Sequence, residues 1–328
     1  MAKPNDQSYD YDYEARFIKQ RREHERIAIL PRVIQPAMFA PGEFALGDMR
    51  VFGRYTVAPL SALTCGFVDL AANEKTDPHR MIPSIVAYIV SGSGESIQDD
   101  ASFVFSAGDV VIVPPYTSYR FIAGSDGFRA WLPQIRLWHG QGLLSREPAP
   151  GDEKTDFEEK VERVFKGRRA ASPQTPGKTR YDWFLSKLTE ENRIEREAPR
   201  VIRASDRRWE ATRQGRLKFY IDRRTEVAAC GMDLMAQEIA PGERSGEHRH
   251  IFEELLLVVV GSGHDLHEGT MHRWQQGDLI CVPPMIVHRH VNDGAEAARL
   301  VSVWSRQAGH EFLGGIEHLA ADASDWKR

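Results

Sequence analysis

No stretch of this chain is apolar for long enough to cross a bilayer. The longest strongly apolar run, residues 255–260, stops at Gly261, far short of the roughly 20 residues a spanning helix needs. Residues 1–16 are polar and acidic and lack the apolar segment of a secretory signal. No membrane partner is expected. An excess of one charge sign is also missing: 43 Lys and Arg stand against 47 Asp and Glu, giving a net charge of −4. That leaves no basic footprint for nucleic acid. Cysteine is scarce. Cys65, Cys230 and Cys281 are dispersed, form no CxxC and lie in apolar, strand-like contexts, which reads as small buried thiols in a reducing cytoplasm. What remains, 41% hydrophobic and 27% charged residues over 328 positions, is the balance of a globular protein with room for two domains.

Against that background four residues stand out by their spacing. Three lie in Gly242-x5-His248-x-His250-x3-Glu254-x6-Gly261, and the fourth in Gly277-x5-Pro283-x4-His288-x3-Asn292. His248, His250 and Glu254 have the same parity, so an extended strand projects all three side chains from one face. Two imidazoles and a carboxylate make a poor core face, because burying that much polarity is costly unless a cation or hydrogen bonds satisfy it. They make a good metal cradle.

Those two segments resemble the paired motifs of the cupin superfamily, on four ligand positions, three glycines, Pro283 and Asn292. The resemblance implies an all-β fold of jelly-roll barrels. One departure is Met285, where the family often has glycine two residues after the motif proline; it alters the turn before His288 without removing a ligand.

The chain also repeats itself. A shift of 169 residues lays His79 on His248, Gly92 on Gly261, Gly108 and Asp109 on Gly277 and Asp278, and Pro114 and Pro115 on Pro283 and Pro284. Self-similarity at a fixed period means two copies of one unit. Short runs rich in Val, Ile, Leu and Phe (85–90, 103–105, 110–113, 255–260, 279–282) alternate with Gly, Asp and Pro, the pattern of many short antiparallel strands. The chemistry did not survive in both copies. Met81 falls where His250 is, Ile85 where Glu254 is, and Tyr119 where His288 is. His79 alone cannot hold a divalent ion, so the first barrel is expected to be metal-free, its interior filled by apolar and aromatic side chains.

The resulting division is an N-terminal arm (1–45), a degenerate cupin (46–140), a partly helical linker (141–200) and a metal-binding cupin (201–328). In the arm, residues 13–27 read as a solvated helix. In the linker, Thr155 or Asp156 can cap a helix carrying Phe157, Val161, Val164 and Phe165 at helical spacing. A second helix carries Tyr181, Trp183, Phe184, Leu185 and Leu188, expected to pack against a barrel.

Three imidazoles and one carboxylate suit Fe(II), with Mn(II) and Zn(II) also compatible, and leave two of six coordination positions for substrate or oxygen. His290 shares parity with His288 and is the candidate for proton transfer, or else orients a ligand. Gln237 and Arg244 are candidates for substrate binding, Arg244 toward an anion. Glu253 has the opposite parity and should point away. His264, His267 and His272 flank a turn at Glu268-Gly269 and read as solvated hairpin residues.

Length, duplication and a single live motif resemble the bicupin ring-cleaving dioxygenases, of the gentisate and salicylate type or the large subunit of hydroquinone dioxygenase. The gentisate type typically binds iron through histidines alone, and the hydroquinone type has asparagine where this chain has His250. The resemblance implies an Fe(II) dioxygenase that opens a hydroxylated aromatic ring with O2. A Mn- or Zn-dependent decarboxylase, lyase or isomerase, or a non-catalytic metal-binding barrel, would use the same ligands. A homodimer or higher oligomer is the expected assembly, a heteromer with a small subunit the alternative.

Overall fold

The computed structural model describes residues 22, 25, 30–38, 40–41, 50–51, 60, 62–81, 83–135, 156–171, 175, 177–222, 224–225, 231–306 and 315–320. The segment 13–27 lies outside them except for Arg22 and Glu25, and Cys230 lies outside as well. The described chain is two β-barrels joined by a helical linker, and none of its helices is long and apolar enough to cross a membrane.

The second barrel is built from two facing sheets. One follows the order Val33–Ile34, Leu279–Val282, Glu254–Val260, Ala298–Ser305, Met232–Ile239, Gly215–Ile221 and Glu210–Thr212. The other follows Thr270–Gln275, Ser262–His267, His288–Asn292, Glu247–His250 and Ile316–Ala320. In the first barrel two long strands, Ile85–Gln98 and Ser118–Ile135, run through both layers and join them into one sheet. Strand periodicity decides what each face meets. Leu256, Val258, Ile280, Val282 and Leu300 fill the second barrel's interior, while Leu255, Leu257, Val301 and Val303 point to the first barrel. There they join Phe67, Tyr88 and Trp131 in a core that spans the seam between the barrels.

Each barrel also borrows a strand. Val33–Ile34, from the N-terminal arm, pairs with Leu279–Val282 of the second barrel. Val201–Ile202, at the start of the second domain by sequence, pairs with Val110–Val113 of the first. Pairing therefore crosses the boundaries expected at 45/46 and 200/201.

The 169-residue repeat is visible in the backbone itself. Left-handed residues recur in register as Asn73 and Gly242, Asp99 and Glu268, and Tyr116 and Met285. Tyr116 donates its N–H to Met81 O as Met285 donates to His250 O. Met285 thus keeps the turn that glycine favours, at φ 64°. A left-handed side chain costs about 1–2 kcal/mol, and glycine's greater unfolded freedom costs about 0.5–1 kcal/mol. Met285 is also exposed, so little packing is at stake. Met285→Gly is expected to stabilise the protein by about 0.5–1 kcal/mol; a lower urea midpoint in the variant would contradict this.

The first barrel's interior is apolar as expected: Met81, Ile85 and Tyr119 are buried with Phe105, Phe121 and Phe128. Both linker helices form, α1 at Asp156–Ala170 and α2 at Arg180–Glu197. Helix α2 opens on a capping box between Thr179 and Asp182. Its aromatics correct the expectation: Tyr181, Trp183, Phe184 and Leu188 are exposed. The stripe that α2 buries is polar instead (Ser186, Thr189, Asn192), with the first two hydroxyls bonded to carbonyls one turn back. Phe165 of α1 does reach a barrel, stacked on Tyr116 at 5.0 Å.

Candidate metal centre

Strand pairing assembles the motif residues inside the second barrel. His248 lies opposite His288 in the ladder between Glu247–His250 and His288–Asn292. In the first barrel the equivalent pair is His79 and Tyr119, which confirms the alignment of the repeat. Ring centroids of His248 and His288 are 4.2 Å apart, and those of His250 and His288 are 4.9 Å apart. His248, His250 and His288 offer ligand atoms within 4.8 Å of one another, as do Glu254, His288 and His290. All five side chains are buried.

The protons on the three clustered imidazoles can be placed from their contacts. His248 Nδ1 meets Gly246 O at 3.2 Å, His250 Nδ1 meets Phe252 O at 2.7 Å, and His288 Nδ1 meets Ile286 O at 2.9 Å. A carbonyl only accepts, so each Nδ1 carries the hydrogen and each neutral ring is left with a bare Nε2. His288 Nε2 is buried without a hydrogen-bond partner. His250 Nε2 faces Glu254 Oε2 at 3.1 Å, and His288 Nε2 lies 3.8 Å from the same oxygen. Two acceptors at such distances repel unless a cation lies among them. The donor set fits a divalent metal.

Electrostatics agree. Burial and the neighbouring histidine His288 push His248 down to about 2, and burial likewise pushes His288 down to about 4. Both are therefore neutral at pH 7, the form that binds metal. Burial acts to raise Glu254, but its interactions with His250 and His288 outweigh it and hold the carboxyl well below its ordinary range. Ser302 Oγ donates to Glu254 Oε1 and fixes the carboxylate's orientation.

The other candidates separate. His290 is buried beside the cluster. Gln237 is buried on the interior face of its strand, but its Nε2 donates to Gln214 O at 2.5 Å. Arg244 is exposed and bridges Val291, whose parity is opposite to that of His288 and His290, so it does not join the cluster. Glu253 points away as expected, accepting from Ala62 N at 2.6 Å.

One expectation is overturned. His267 is not a solvated hairpin residue: it is buried with its ring 5.9 Å from that of His288. Its strand, Ser262–His267, pairs with His288–Asn292, setting Asp265 opposite His290 and His267 opposite His288. Asp265 is fully buried and accepts from Trp274 Nε1 at 2.8 Å, His290 Nδ1 at 2.9 Å and His267 Nε2 at 3.2 Å. Burial lowers the pKa of His290, and the charge and hydrogen bond of Asp265 raise it by more, for a net upward shift. Asp265, His267, Trp274 and Ser302 were missed by reading the motifs alone. The shared parity of Gly263, Asp265 and His267 was the signal that could have found the first two.

Residues 235–304 match the cupin domain family model. The second barrel is a cupin domain, and the chain as a whole has a bicupin fold. Oxalate decarboxylase of Bacillus subtilis has the same fold: one variant aligns with a TM-score of 0.61 at 13% identity, over 89% of this chain and 80% of that one. Its structure at pH 4.6 aligns with a TM-score of 0.59 at 12% identity, over 89% and 79%. Among curated proteins, 1-hydroxy-2-naphthoate 1,2-dioxygenase of Nocardioides sp. (strain KP7) is 30% identical over 92 residues, 27% of this chain and 24% of the relative. A 5-aminosalicylate 1,2-dioxygenase of Comamonas sp. is 32% identical over 66 residues, 20% of this chain and 18% of the relative. The chain thus matches about a quarter or less of the length of these dioxygenases.

Proposed function

We propose that this protein is a mononuclear non-haem Fe(II) dioxygenase that cleaves a hydroxylated aromatic ring. The observation that carries the reading is the convergence of the bare Nε2 atoms of His250 and His288 on the Glu254 carboxylate, with His248 grouped beside them, an arrangement that calls for a cation. The choice of reaction is supported by partial similarity to two curated aromatic dioxygenases. Likeness to oxalate decarboxylase supports the fold alone.

In this reading His248, His250, Glu254 and His288 hold the iron. Bound there, iron supplies the redox chemistry that lets O2 react with an aromatic ring. The protein supplies the rest. Leu256, Val258, Ile280, Val282 and Leu300 wall the barrel interior with apolar surface, which excludes water and strengthens every polar contact inside. His290, with Nδ1 committed to Asp265, has Nε2 left to receive a proton from a substrate hydroxyl. Gln237 Nε2 is held by Gln214 O, which fixes its amide at the interior wall.

The test is oxygen consumption matched to loss of substrate aromatic absorbance, after anaerobic Fe(II) reconstitution, across dihydroxylated and hydroxy-carboxylated aromatics. Glu254→Ala is expected to lower metal content and turnover together. His290→Ala should spare metal content while slowing turnover by roughly 10²-fold, the scale for losing one proton-transfer group. Turnover of a carboxylic acid without oxygen uptake, with no aromatic substrate consumed, would replace the dioxygenase reading with a lyase or decarboxylase.

A further inference from the structure

Asp265 belongs to neither metal motif, yet it gathers three donors in the barrel interior beside the candidate centre. A carboxylate only accepts, so its contacts dictate where two more histidines carry their hydrogens. His290 must be protonated on Nδ1 and His267 on Nε2. What is left is a pair of bare nitrogens, His290 Nε2 and His267 Nδ1. The second is buried without a hydrogen-bond partner, and a cation at the adjacent cluster disfavours a further positive charge on His290. Both rings flank His288, with centroids 5.6 Å and 5.9 Å from it. A desolvated acceptor is costly until a donor reaches it.

We propose that Asp265 is a positioning residue that fixes His290 and His267 as hydrogen-bond acceptors, so that the site selects a ring bearing a protonated hydroxyl over one bearing a carboxylate alone. The selectivity rests on the aromatic-substrate reading above; the positioning role does not. It has a physical consequence for specificity, because a ligand without the hydroxyl leaves buried and unpaired an acceptor that the hydroxyl would satisfy. A site built this way rejects the analogue that lacks the donor far more strongly than an apolar pocket would.

Two measurements test this. Nitrogen-15 spectra of histidine-labelled, Zn(II)-loaded protein at pH 8 should show His290 protonated at Nδ1 and His267 at Nε2. In Asp265→Asn the amide donates to one of them, so at least one ring should change tautomer. Calorimetry on the Zn(II)-loaded protein at pH 8 should show salicylate binding at least about tenfold tighter than benzoate, the scale of a buried acceptor left unpaired. In Asp265→Asn that preference should fall to within roughly threefold at unchanged zinc content. If Asp265→Asn does not fold, His267→Gln takes its place and should weaken the preference by at least roughly threefold. Tautomers that do not change in Asp265→Asn, or a preference that survives in the variants, overturn the proposal. If neither probe binds wild-type protein while the tautomers are as assigned, the aromatic reading and the hydroxyl selectivity fail together, and the positioning role of Asp265 stands.

Discussion

His288→Ala should leave the protein without metal after dialysis, under conditions where the wild type retains about one ion per chain. His288 is the residue common to both groups of converging ligand atoms. Its Nδ1 is tied to Ile286 O, its Nε2 is buried without a hydrogen-bond partner, and its side chain is fully enclosed. Its removal therefore takes a ligand atom from both groups at once. The loss should exceed the roughly 10–100-fold in affinity that removal of a supporting hydrogen-bond partner costs. Ser302→Ala, which frees one oxygen of Glu254, provides that smaller reference effect within the same site. His79→Ala in the first barrel should leave metal content at the wild-type level. Metal analysis on the three variants decides the matter: retention in His288→Ala, or loss in His79→Ala with the second barrel intact, would move the site elsewhere.

The fold and the centre of the site were legible in the sequence for the same reason, namely that strand geometry has a period of two. Parity alone put His248, His250 and Glu254 on one face and sent Glu253 to the other. The 169-residue shift, read from glycines and prolines, returns in the structure as matched left-handed residues and as matched ladder partners. What sequence did not show is partnership across strands. Asp265 and His267 become neighbours of His290 and His288 only through the register of their ladder. The exchange of Val33–Ile34 and Val201–Ile202 between barrels is invisible for the same reason, since two-residue strands carry no periodic pattern. The aromatics of α2 misled because helical spacing tells which residues share a face, not whether that face is covered.

Metal-free protein should lose stability steeply as pH falls from 7.5 to 5.0. His248 and His288 are buried neutral, with pKa values pushed by burial to about 2 and about 4 from an ordinary 6.5. Their protonation therefore favours the unfolded chain. The stability each contributes is fully present above pH 6.5 and is lost below it, until pH 4 for His288 and pH 2 for His248. By pH 5 each accounts for on the order of 2 kcal/mol. His290 works in the opposite sense: its raised pKa gives stability at low pH that is lost as pH rises through its folded value, so it offsets part of the fall. Bound metal adds a second dependence of the same sign, because protons compete with it for the imidazole nitrogens. Urea unfolding of chelator-treated protein at the two pH values measures the first effect. The double variant His248→Asn and His288→Asn, with no buried imidazole at those positions, should be distinctly flatter over the same interval. Equal slopes in the variant and the wild type would mean that these two histidines are not held neutral, and the metal-binding form of the cluster would lose its physical basis.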